Sequence, residues 1–202
     1  MKDEIKEILK DAINKIGYKY TCFLFFYKAQ SDKWEKECDN IKEDLLKKRW
    51  SKEEAEREVT TPSRHKFNFV SEYTWDNIRR DTKIVEKISK AIKKLKELNP
   101  QFSDVLSKFN FEEFISIEKL NNLRNTIESL SKYSLKELTD EELGNYFDWI
   151  LQNFTPIEKR KGKLCTSREV LRLMVEILLG SNFLKLCSIY DPAVGYGGSL
   201  LL

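Results

Sequence analysis

Helix breakers are scarce in this chain, and apolar residues recur at helical spacing between the few there are. Only 7 Gly and 4 Pro occur in 202 residues. A loop-rich all-β fold needs many more turn residues, so the pattern points to helices. Ile5, Ile8, Leu9, Ala12, Ile13 and Ile16 fall on one helical face, and Gly17 stands where such a helix should end. Residues 20–36 carry Phe23, Phe26, Tyr27, Ala29 and Trp34, apolar on more than one side, which predicts a central, buried helix. A charged helix is predicted over 39–58, with Ile41, Leu45, Leu46 and Trp50 as its apolar positions. Thr60-Thr61-Pro62-Ser63 breaks the pattern. Phe67-Asn68-Phe69-Val70 has the composition of a short strand, in a 60–83 segment whose aromatics predict a packed loop. Helical spacing returns with Ile84, Ile88, Ile92, Leu95 and Leu98, and Asn99-Pro100 ends it. Leu120, Leu123, Ile127 and Leu130 mark another helix. Thr139-Asp140-Glu141-Glu142 is a capping box for the next, with core positions Leu143, Phe147, Ile150, Leu151 and Phe154.

Charge and cysteine use exclude several functions. Lys and Arg number 36 against 33 Asp and Glu, so no global charge argument for nucleic acid holds and any basic surface must be local. The longest apolar run, Cys22 to Tyr27, is far short of the ~20 residues a membrane span needs. MKDEIKEILK is no signal peptide. A cytoplasmic location follows, with Cys22, Cys38, Cys165 and Cys187 as free thiols. None of them forms a Cys-x-x-Cys pair, and His65 is the single histidine. A zinc site and a Ser-His-Asp or Cys-His mechanism are therefore disfavoured, and His65 reads as structural.

Thr155-Pro156 reads as a domain boundary, separating 1–155 from 156–202. A basic run follows: Lys159, Arg160, Lys161 and Lys163, with Arg168 and Arg172 nearby. It is either a solvated linker or a phosphate-contacting loop. Thr166-Ser167-Arg168-Glu169 is a second capping box, opening a helix predicted to bury Val170, Leu171, Met174, Val175, Ile177 and Leu178. Leu186 to Tyr190 reads as a strand of a parallel sheet. Asp191-Pro192-Ala193-Val194-Gly195-Tyr196-Gly197-Gly198 follows it directly. A strand running into a Gly-rich turn places a ligand at the strand's carboxyl end. Gly195 and Gly197 let backbone amides approach the ligand, and Asp191 can hydrogen-bond a ligand hydroxyl or amine. No Lys follows the glycines, so this is no Walker loop, and Leu200 fills the third Gly position of a dinucleotide fingerprint.

The Asp-Pro-Ala-x-Gly-x-Gly-Gly turn resembles motif I, the S-adenosylmethionine loop, of amino DNA methyltransferases. Gly162 to Glu176 resembles their motif X, which reads Gly-Glu-x-Tyr-Thr-Pro-Arg-Glu-Val-x-x-Leu-Met-Val. Motif X just before motif I is the order of the N6-adenine class that includes modification subunits of type I restriction-modification systems. Phe23 to Trp34, Tyr73 to Ile78 and Leu143 to Ile150 look like that subunit's helical N-terminal domain, so the resemblance covers nearly the whole chain. It departs at Cys165 for Tyr, at Ser167 for Pro, and at Val194 and Tyr196 for smaller residues.

The resemblance implies a mainly α chain: an N-terminal helical bundle, then the truncated start of a Rossmann-like methyltransferase domain. It implies S-adenosylmethionine contacts at Thr166, Ser167, Asp191, Pro192, Ala193, Gly195, Gly197 and Gly198. On charge alone, Lys159, Arg160, Lys161 and Lys163 are the candidate DNA contacts. It implies adenine-N6 methylation of duplex DNA by the full-length protein, partnered by a specificity subunit and a restriction subunit. The family's catalytic Asn/Asp-Pro-Pro-Phe/Tyr motif lies downstream of motif I, and no Pro-Pro occurs here, so no catalytic residue and no metal ligand is assigned. Two other readings stand beside this one. One is a truncated, non-catalytic helical module that binds a specificity subunit or DNA. The other is a methyltransferase with a protein or RNA substrate, against which the N-terminal likeness speaks.

Overall fold

The computed structural model describes residues 2–154, 166, 168–179 and 190–192. The chain forms two compact units, Met1–Ile150 and Leu151–Leu202. In chain order the helices are α1 (Lys2–Ile16), α2 (Tyr18–Lys47), α3 (Lys52–Val59), α4 (Trp75–Arg79), α5 (Ile84–Leu98), α6 (Ser103–Leu106), α7 (Ile117–Ser131), α8 (Asp140–Phe154) and α9 (Arg168–Leu179). Among the described residues there is no strand.

The first unit is organised around α2. Its 30 residues make a rod about 45 Å long. Phe23, Leu24, Phe25, Tyr27 and Ala29 are all buried, so the helix is covered on several sides, as its composition predicts. α1 packs against α2 and α7, burying Ile5, Leu9, Ala12 and Ile16. A single residue, Gly17, turns the chain between α1 and α2 at φ +81° and ψ 155°. That region is essentially closed to residues with a Cβ. Aromatic rings fill the space around α2. Phe23 meets Phe109 and Phe111, and Phe25 meets Tyr146 and Phe147. Tyr27 packs edge-on to Phe69.

α2 also uses polar side chains to hold distant segments. Ser31 Oγ accepts the backbone N–H of Trp75 at 2.7 Å, at the start of α4. Trp75 Nε1 donates to Ser131 Oγ at 2.8 Å, at the end of α7. Lys28 and Asp32, each 5% exposed, form an ion pair at 2.8 Å, and Asp32 Oδ2 also accepts the Leu135 N–H at 2.8 Å. The 60–83 segment is a packed loop. Phe67 and Phe69 are buried but pair with no strand, and Asn99 clamps the backbone of Asn68 from both sides at 2.8 and 2.9 Å.

Three expectations change. The segments 20–36 and 39–58 are not two helices: α2 runs unbroken to Lys47, because nothing between 36 and 39 disfavours a helix. The break falls at Arg49, φ +66°, and Ser51 with Glu54 forms the capping box that starts α3. Of the apolar residues assigned there, Leu45 is buried and Ile41 half-buried, whereas Leu46 in the last turn of α2 and Trp50 beyond it are exposed. The apolar stripe of α9 is not buried either. Val170 and Met174 are exposed, Leu171 and Val175 half-buried, and Ile177 and Leu178 are 72% and 80% exposed. A helix buries its stripe only beneath a second layer, and no sheet lies among the described residues of that unit. The strand expected over 186–190 lies outside the described residues except at Tyr190, which is 86% exposed and not in a strand.

Candidate functional site

The cofactor contacts expected from the sequence fall in the second unit, where the structure describes three of them. Thr166 is exposed, two residues before α9. Asp191 is half-exposed and Pro192 is exposed in a turn. Ser167, Ala193, Gly195, Gly197 and Gly198 lie outside the described residues, as do Lys159, Arg160, Lys161 and Lys163. α9 opens at Arg168, within a residue or two of the start that the capping box predicts. In the described part of the turn, Asp191 is half-buried between an exposed Tyr190 and an exposed Pro192, and its carboxylate is the acceptor type that a ligand hydroxyl or amine requires.

The first unit offers little chemistry of its own. Burial pushes the thiols of Cys22 and Cys38 up to about 12, which keeps both protonated and unreactive near neutrality. Burial likewise raises the Tyr27 phenol, whose hydroxyl donates to the Tyr73 carbonyl. His65 is buried between two acceptors. Nδ1 stands 2.9 Å from a Glu37 carboxylate oxygen and Nε2 stands 2.6 Å from the Val59 carbonyl. Both ring nitrogens are thus engaged in joining α2 to the end of α3, the structural role expected of this residue. No cluster of metal-ligating side chains occurs among the described residues.

A cleft of about 420 Å³ opens beside α2. Phe26, Trp34, Phe67 and Phe102 line it with Gln30, Lys33 and Lys66. Lys33 spends its charge on Asp140, 2.6 Å away. That contact ties α2 to the start of α8, where Thr139 and Glu142 form the predicted capping box. No helix among the described residues is long and apolar enough to cross a membrane.

One surface feature was missed in the sequence. α5 and its N-cap Lys83 carry six lysines between 83 and 96, away from the buried stripe. Counting charge in windows, rather than over the whole chain, would have found it.

Comparison with known proteins finds two families along the chain. Residues 3–130 match the family described as HsdM N-terminal domain, and residues 138–202 match the family described as N-6 DNA Methylase. Two curated relatives, both from Methanocaldococcus jannaschii, align along almost all of the chain. The type I restriction enzyme MjaVII methylase subunit is 26% identical over 195 residues, covering 92% of this chain and 32% of the relative. The type I restriction enzyme MjaVIII methylase subunit is 21% identical over 210 residues, covering 99% and 35%. The chain thus spans about a third of the length of the curated relatives it matches. With its helical unit matched through residue 130 and a methylase segment directly behind it, this chain belongs to the HsdM N-terminal domain family.

Proposed function

We propose that this chain works as the N-terminal part of a type I modification subunit, in a protein that methylates adenine N6 in duplex DNA from S-adenosylmethionine. One observation carries the reading: an HsdM N-terminal domain match is followed at once by an N-6 DNA methylase match that takes in the Asp191 turn. We place the boundary between the two domains after residue 155.

S-adenosylmethionine supplies an electrophilic methyl group when bound. The residues of this chain would bind and orient it. The Asp191 carboxylate accepts from a ligand hydroxyl or amine, and Pro192 and Ala193 shape the turn. Gly195, Gly197 and Gly198 leave room for backbone amides to approach. Thr166 and Ser167, just ahead of α9 in the sequence, would add hydroxyl contacts. Lys159, Arg160, Lys161 and Lys163 would meet DNA phosphates. A specificity subunit and a restriction subunit complete the assembly, which acts in the cytoplasm. The chain contains no Pro-Pro pair, so the reading predicts no methyl transfer by these 202 residues alone.

Methyl transfer tests the proposal. A polypeptide joining this chain to an in-frame Asn/Asp-Pro-Pro-Phe/Tyr segment is co-expressed with a specificity subunit. It is then incubated with duplex DNA and methyl-labelled S-adenosylmethionine. Label recovered in N6-methyladenine supports the reading. Label in cytosine, RNA or protein, or no incorporation at all, overturns it.

A further inference from the structure

We propose that the exposed face of α5 is a contact surface for the phosphate backbone of duplex DNA, carried by Lys90, Lys93 and Lys96. This rests on the reading that the protein works on duplex DNA, and it locates one place where the helical unit touches it.

The starting point is charge segregation. Residues 1–154 contain 29 Lys and Arg and 29 Asp and Glu, so the helical region as a whole is neutral. Within it, residues 83–96 hold six lysines and one acid, Glu86. The opposite face of α5 is fixed in the core by Ile84, Ile88, Ala91, Ile92 and Leu95, so the lysines are held together on the outer side.

Three of the six are neutralised locally. Lys83 pairs with Glu86 at 3.7 Å, and Lys94 with Glu97 at 2.9 Å. Lys87 pairs with Glu72 at 3.1 Å and with Asp81 at 3.9 Å, and it lies over the Tyr73 ring. The other three form no ion pair with any described residue. Lys90 and Lys93 are exposed and Lys96 is half-buried, and Lys93 meets the charge of Glu97 only at longer range. They recur every three residues, which spaces them about 4.5 Å apart along the axis over a ridge of about 9 Å. Like charges at this spacing repel and weaken a helix. A duplex carries about one phosphate charge per 1.7 Å of its axis, both strands counted, so roughly five lie within an axial length of 9 Å.

The chemistry also says what kind of contact this is. Lysine ammonium groups are point charges and lack the planar fork that reads a guanine edge. No Arg, Asn or Gln occurs between Lys83 and Leu98. The ridge therefore positions DNA and carries no sequence information.

The test uses the 202-residue chain and a fluorescein-labelled 30-base-pair duplex of mixed sequence, with binding read by anisotropy from 50 to 200 mM KCl. The variant is Lys90→Gln/Lys93→Gln/Lys96→Gln, with its helicity checked by circular dichroism. A second variant, Lys→Arg at the same three positions, keeps the charge. Three phosphate contacts correspond to a slope of about 2.7 in log affinity against log salt. The wild-type chain should then lose about 40-fold more affinity over that salt range than the Gln variant, and the Arg variant should behave as wild type. An unchanged slope in the Gln variant overturns the proposal and moves the contact elsewhere, to 159–163 first. No duplex binding by the wild-type chain overturns it, as does binding to polyglutamate in place of DNA, which would assign the ridge to an acidic protein. None of these results bears on methyl transfer. Conversely, a longer polypeptide that binds DNA through the ridge but methylates nothing would remove the enzymatic reading and leave the ridge standing.

Discussion

Replacing Lys28 by Met should destabilise the helical unit far more than the loss of one ion pair on a surface. Lys28 Nζ lies 3.0 and 2.8 Å from the two oxygens of Asp32, and both residues are almost wholly buried. Met keeps the length of the stem and its packing beside the Trp75 ring, which the ammonium approaches to 5.6 Å. The substitution therefore removes charge and donors with little loss of volume. It leaves the Asp32 carboxylate buried with the Leu135 N–H as its remaining donor among these contacts. Breaking a buried pair from one side costs about 3–5 kcal/mol, because the surviving charge stays desolvated. For a chain of this size that is a fall in Tm of about 6–20 °C. The double variant Lys28→Met/Asp32→Asn removes the stranded charge and keeps an acceptor for Leu135, so it should recover roughly half of the loss or more. Urea and thermal unfolding of the whole chain, followed by circular dichroism at 222 nm, measure both. A cost below about 1 kcal/mol for Lys28→Met would mean that water reaches the pair as it does on a surface, and the reasoning would fail.

Other outcomes follow from the same geometry. Gly17→Ala should cost about 1–3 kcal/mol in urea unfolding although no atom lies within 4 Å of the added Cβ, because the strain is in the backbone; an unchanged midpoint would refute that. Burial raises the Glu35 carboxyl above its usual range, against the opposing pull of Lys136 3.7 Å away. A raised folded value contributes stability that is full below the ordinary carboxylate pKa of about 4.3 and lost as pH rises through the folded value. Glu35→Gln should thus match or exceed wild type in urea midpoint at pH 7 and lose that advantage at pH 4; the opposite trend would refute the sign. Titration calorimetry of the 202 residues with S-adenosylmethionine should show no strong binding, since the apolar stripe of α9 lies exposed; tight binding would refute this.

Part of this architecture was legible residue by residue. The stripe Ile84, Ile88, Ile92 and Leu95 predicts α5, Gly17 predicts the α1–α2 turn, and Thr139 with Glu142 predicts the start of α8. The structure bears out each of them. The Ser51–Glu54 box was equally readable and would have placed the break before α3 rather than near residue 38. The cofactor loop was legible only as a motif. Its order, an acid and a proline followed by spaced glycines, is what the motif encodes.

The sequence by itself determined most of the long helices, several of their ends, and that the chain joins a helical region to a methylase-like turn. Those properties depend on spacing and caps within a few residues, and such interactions are local. Only the tertiary structure decided that Lys28 and Asp32 are buried, that Asn99 clamps Asn68, and that Lys90, Lys93 and Lys96 form no ion pair with any described residue. Each of these depends on which distant backbone arrives beside a side chain: Leu135 lies 103 residues from Asp32, and Asn68 lies 31 from Asn99. No pattern within one helix encodes that arrival, because burial and pairing are set by the packing of the whole unit.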